Sequence, residues 1–114
     1  MAKMNPDRGP VSPFSGDFNN PYQHSCGAFI RAKIWACIAP GAQDPAVRFA
    51  YNDACIDHAH SEGTIAALFV AVLERAAFVV SYIDRLLDLT LVAIPRVSGV
   101  ARAVTSVRRA YRTA

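Results

Sequence analysis

With 114 residues, of which 53% are hydrophobic and 18% charged, the chain has room for one compact domain and not two, and its body is too apolar to stay disordered. The net charge is +3, and no acid follows Asp88, whereas Arg96, Arg102, Arg108, Arg109 and Arg112 do. These arginines suit the solvated face of an amphipathic helix or an anionic surface; without interleaved aromatics they lack the stacking platform of a nucleic-acid binder.

Residues 1–20, "MAKMNPDRGPVSPFSGDFNN", are rich in Pro, Gly, Asn and Ser and show no hydrophobic period, so a flexible leader is expected there and a helical domain over residues 21–114. The leader has no apolar core of the kind a signal peptide needs. "PYQHSCGAFIRAKIWACIAPG" predicts a loop through Cys26 and then a helix with Phe29, Ile30, Ile34, Trp35 and Ile38 inward, ended by Pro40 and Gly41. Asp44-Pro45 reads as an N-cap and first helical residue, opening a helix to about His58 with Val47, Ala50, Ala54 and Cys55 inward.

After the polar break "AHSEG" comes a helix from about Glu62 into Val80 that is apolar almost all round, as in the centre of a bundle. Glu74 and Arg75 interrupt it, so no run reaches the ~18 apolar residues of a spanning helix. "SYIDRLLDLTLVAIP" predicts a further amphipathic helix with Ile83, Leu86, Leu87, Thr90, Leu91 and Ile94 inward. Ser98 is placed to cap a last helix striped by Val100, Val104, Val107 and Tyr111. No stretch alternates with period two, and the expected fold class is all-α. Cys26, Cys37 and Cys55 are odd in number, lack Cys-x-x-Cys spacing and sit in apolar or helical contexts. They read as buried free thiols of a reducing, cytoplasmic compartment.

The chemistry-bearing residues crowd into Asp53-x-x-x-Asp57-His58-x-His60. Asp53 and Asp57 share a helix face, but the stretch has no tight metal-ligand spacing. A helix C-terminus favoured by imidazole is the plainer reading. His24 with Cys26, or Cys55 with His58, can be drawn as nucleophile and base, yet no third, orienting group is evident.

Gly27-Ala28 with Arg31, Pro40-Gly41, Asp44-Pro45, Asp53 to His58, and Gly63 with Ala66-Ala67 follow one another in an order that resembles the middle section of the ADP-ribosylglycohydrolase family, which includes the dinitrogenase reductase-activating glycohydrolases. The resemblance spans about residues 18–112. It implies part of an orthogonal all-α bundle and a hydrolase of the glycosidic bond in ADP-ribosylated substrates. It further implies an ADP-ribose pocket formed by the loop of Tyr22, Gln23 and Ser25 together with His58.

Family members use paired divalent cations, usually magnesium, bound by acidic motifs near the start and end of their chains. No Asp-Asp-Thr and no Asp-x-Asp followed by a hydroxyl occurs here. The resemblance therefore implies a partial enzyme, with no metal ligand and no catalytic residue assigned. A partner chain is expected to cover the apolar helix. The alternative function is a non-catalytic helical interaction module.

Overall fold

The computed structural model describes residue 9 and residues 11–114. Among these residues all regular structure is helical: α1 Phe14–Asp17, α2 Gly27–Arg31, α3 Lys33–Ile38, α4 Gln43–His58, α5 Glu62–Ala77, α6 Ile83–Val92 and α7 Gly99–Thr113. The all-α expectation holds. No helix is long and apolar enough to cross a membrane.

Helix α5 is the axis of the fold, in contact with α2, α3, α4, α6 and α7. Helices of the same chain thus cover much of its apolar circumference, with Ile65, Leu68, Phe69, Val70 and Leu73 half-buried. The core where α2, α4 and α5 meet is built from Ala28, Ala32, Ala50, Ala54, Ala67 and Ala71, with Phe29, Trp35, Leu68 and Val70 packed around it. Short side chains let the helix axes approach closely, so contact comes from backbone proximity more than from large interlocking groups.

That choice reverses the expected facing of the α2–α3 segment. Ala28, Ala32, Ala36 and Ala39 are buried, while Ile30, Ile34 and Ile38 stand 61%, 56% and 60% exposed. Phe29 and Trp35 remain half-buried as expected, Trp35 stacking on Phe49 at 5.5 Å. Both rows have helical spacing; the alanine row faces inward because α5 lies too near for branched side chains. In α6 Thr90 is buried and Leu86, Leu87 and Leu91 half-buried, but Ile83 is exposed; Ile94, just past the helix, is buried. In α7 Val100 and Val104 are half-buried, while Val107 and Tyr111 are exposed.

Helix ends differ in detail from the sequence reading. Helix α4 starts two residues before Pro45, Ala42 is its N-cap, and Asp44 sits inside the first turn without a capping bond. Ser98 does cap α7, accepting from the Ala101 N–H at 3.1 Å. Residues 1–8 and 10 of the expected leader lie outside the described residues. Residues 11–20 belong to the packed unit, since α1 lies against α4 and Ser15, Gly16 and Asn20 are buried. A methyl group on Gly16 would come within 2.7 Å of the Ala59 nitrogen and 3.0 Å of the Cys55 carbonyl, so glycine is what permits this docking. Of the three free cysteines only Cys55 is buried; Cys26, just before α2, and Cys37, in α3, are exposed.

Candidate functional site

The C-terminal turn of α4, the loop before α2 and the first turn of α5 converge. Asn20 holds the approach, its side-chain amide donating to the Gly16 and Asp57 carbonyls at 2.7 Å each and its oxygen accepting from the Tyr22 N–H at 3.1 Å. The loop is closed by Ser25 N–H on the Tyr22 carbonyl at 2.9 Å. Ser61 caps α5 by accepting from the Gly63 N–H at 3.2 Å, and its hydroxyl donates to the Gln23 carbonyl. Gly63 completes the junction: a methyl group there would meet the His58 ring at 2.5 Å and the Gln23 and Ser25 carbonyls at 2.8 Å. Only a bare backbone lets the loop, the imidazole and α5 lie this close.

At the centre is a hydrogen-bonded chain of side chains. His58, 4% exposed, has Nδ1 at 2.7 Å from Asp57 Oδ1 and Nε2 at 3.2 Å from Ser25 Oγ, across 33 residues of sequence. A carboxylate only accepts, so in the neutral ring Nδ1 carries the proton and Nε2 accepts from the Ser25 hydroxyl. Asp57 in turn is gripped by Arg31, whose Nη1 and Nη2 lie 2.8 and 2.6 Å from the two carboxylate oxygens. The same guanidinium reaches Asp53, Nε to Oδ2 at 2.7 Å and Nη2 to the carbonyl at 2.9 Å, and Trp35 Nε1 adds a bond to Asp53 Oδ2 at 3.3 Å.

Burial alone would push the Asp57 carboxyl up, but the bonds from Arg31 and His58 outweigh it and hold the group below its ordinary value. The Arg31 guanidinium is raised in return, chiefly by its bond to Asp57.

This network removes Asp53, Asp57, His58 and His60 from the metal readings. Arg31 occupies both carboxylate oxygens of Asp57 and one of Asp53, and His60 points elsewhere, its Nδ1 at 2.7 Å from the Tyr51 hydroxyl with the two rings stacked. Asp84 and Asp88, the other pair on one face, are held by Arg108. Among the described residues no three His, Cys, Asp or Glu side chains converge on a metal position. The described donor set therefore does not fit a magnesium pair. Cys55 lies 4.0 Å from His60 Nδ1, and its burial pushes the thiol up, which suits packing and not nucleophilic attack.

The ADP-ribosylglycohydrolase family model matches residues 2–114. The chain belongs to the ADP-ribosylglycohydrolase family. No curated protein and no solved structure matches it. The all-helical architecture agrees with that membership.

Within this family member Ser25 and His58 are in direct contact, and Gln23 is tied to the same junction through its carbonyl. The Tyr22 ring shares the loop but stands 67% exposed. Gln23 also lines a shallow cavity of about 170 Å³ with Phe14 and His60. A larger apolar groove of about 650 Å³ lies apart, lined by Phe69, Ile83, Leu87, Val104 and Val107, and includes none of the four. The sequence reading grouped Ser25 with His58 but missed the direct bond between them, and it missed Arg31 as the clamp on Asp57. Arg31 had a signal: it and Lys33 are the only arginine or lysine between residues 9 and 47, while Asp53 and Asp57 share a face.

Proposed function

We propose that this chain supplies a ligand-holding part of an ADP-ribosylglycohydrolase site, binding ADP-ribose or an ADP-ribosylated substrate through Tyr22, Gln23, Ser25 and His58. The observation that supports it best is the contact of Ser25 with His58, which joins the loop to the end of α4 in a member of this family. The Ser25 hydroxyl and the loop backbone offer hydrogen bonds to sugar and phosphate oxygens, and the exposed Tyr22 ring offers an apolar face.

Magnesium in this family polarises the ribose and orients a water. Because the described carboxylates do not fit such a pair, no hydrolytic step is assigned to them, and the chain by itself is proposed to bind without turning over. Three free thiols support a reducing, cytoplasmic setting. A non-catalytic interaction module is the second reading, favoured by the exposed Ile30, Ile34 and Ile38.

Calorimetric titration with ADP-ribose tests the first reading. The folded chain should bind, and His58→Ala should weaken binding about 10-fold, or about 1.4 kcal/mol. A folded chain that binds no ADP-ribose overturns this reading in favour of the module. Incubation with ADP-ribosyl-arginine and magnesium should release no ADP-ribose; release abolished by chelator and by His58→Ala would show a complete site.

A further inference from the structure

The Ser25–His58–Asp57 chain has the connectivity of an activated serine. The carboxylate meets the Nδ1 side of the ring at 2.7 Å, and the hydroxyl meets the Nε2 side at 3.2 Å. Ser25 is exposed, His58 behind it is buried, and Asp57 is half-buried. Arg31 fixes both oxygens of Asp57, which keeps the carboxylate ionised and its orientation constant. Ser61, Gly63 and Asn20 hold the loop and the helix end, so the alignment does not depend on a mobile side chain alone.

We infer that Ser25 is an acyl-transfer nucleophile, with His58 as its base and Asp57 and Arg31 as positioning residues, acting on carboxylic esters with a short acyl group. Short acyl groups follow from the setting, because Ser25 opens to the surface and lines neither the 170 Å³ nor the 650 Å³ cavity. The inference does not rest on ADP-ribose binding.

In the first half-reaction Ser25 Oγ bonds to the ester carbonyl carbon as its proton passes to His58 Nε2. The bond from that carbon to the alkoxy oxygen then breaks, and the alcohol leaves with the proton from Nε2. In the second half-reaction a water oxygen attacks the acyl carbon and gives a proton to Nε2. The Ser25 Oγ–acyl bond breaks, Oγ recovers the proton, and the carboxylic acid departs. Ester and water become acid and alcohol, with no oxidant or further reactant.

The test is to treat the full chain with an alkyl fluorophosphonate and locate the adduct by peptide mass spectrometry, alongside hydrolysis of p-nitrophenyl acetate. The expected result is an adduct on Ser25, with the exposed Ser81 and Ser106 unmodified. Ester hydrolysis should fall about 100-fold in Ser25→Ala and in His58→Ala. Asp57→Asn should lower kcat at unchanged KM, a split that a merely structural role does not produce. No adduct, an adduct on another serine, or hydrolysis unchanged in Ser25→Ala overturns the inference. The labelling uses the unsubstituted chain, so it decides the matter even where a variant fails to fold, and a separate ADP-ribose titration keeps the binding reading distinguishable.

Discussion

Arg31 ties two elements with four hydrogen bonds, all of them to Asp53 and Asp57. A half-exposed, forked pair of this kind is screened less than a single surface bridge, and its loss leaves the Asp53 and Asp57 carboxylates without their cation. Arg31→Ala should cost about 2 kcal/mol in a urea melt at neutral pH. The pH dependence has a definite sign. The Asp57 carboxyl is held below its unfolded value of 3.8, so its added stability is complete above that value and is lost as pH falls through the lower, folded one. Asp57→Asn should therefore be less stable than the parent at pH 7, and the gap should narrow below 3.8. A gap that stays constant with pH would mean that Arg31 does not stabilise the ionised form.

At the scale of the helix, the buried alanines carry the packing that the isoleucines were expected to carry. Ala36 is completely buried and Ile34 is 56% exposed. Ala36→Leu should overpack the seam and destabilise by about 1–3 kcal/mol, whereas Ile34→Ala should change stability by less than about 0.5 kcal/mol. Equal effects in thermal melts would put the segment the other way round. The first turn of α5 is just as intolerant. Gly63→Ala must displace the His58 ring and two loop carbonyls, so it should cost about 2 kcal/mol and loosen the loop, visible as faster amide exchange at Tyr22 and Ser25.

The whole molecule is longer than its chain length suggests, with a radius of gyration of 15.0 Å against about 13 Å for a compact domain. Helix α7 is the outlying element, joined to α5 by a few polar devices. Glu62, in the first turn of α5, accepts from the Gly99 and Val100 N–H groups at 2.9 and 3.2 Å, doubling the cap that Ser98 provides. On the face turned to α6, Arg108 and Arg112 bridge to Asp84 and Asp88, where the acids are exposed and salt competes. Glu62→Ala should cost about 1 kcal/mol and raise amide exchange across α7 before α4 or α5 responds. Added salt should accelerate exchange in α7 selectively. If all helices exchange together, α7 is not a separate opening unit.

Helix-forming stretches were legible because their signals are local: Pro40-Gly41 ends one helix, Ser98 caps another, and the 3.6-residue period runs through α6 and α7. The ordered run from Gly27-Ala28 to Ala66-Ala67 likewise pointed to the ADP-ribosylglycohydrolase family, because a motif order is a property of the chain itself. Facing was not legible in the α2–α3 segment. Isoleucine and alanine rows are both apolar at helical spacing, and only the closeness of α5 selects the smaller. Nor did the sequence mark Asp44 as uncapped or residues 11–20 as packed, since each depends on what lies alongside. The contact between Ser25 and His58 spans 33 residues, and Arg31 reaches Asp57 across 26. No local period encodes such pairs; the first depends on the glycine at position 63, which lets the loop, His58 and α5 meet at one point.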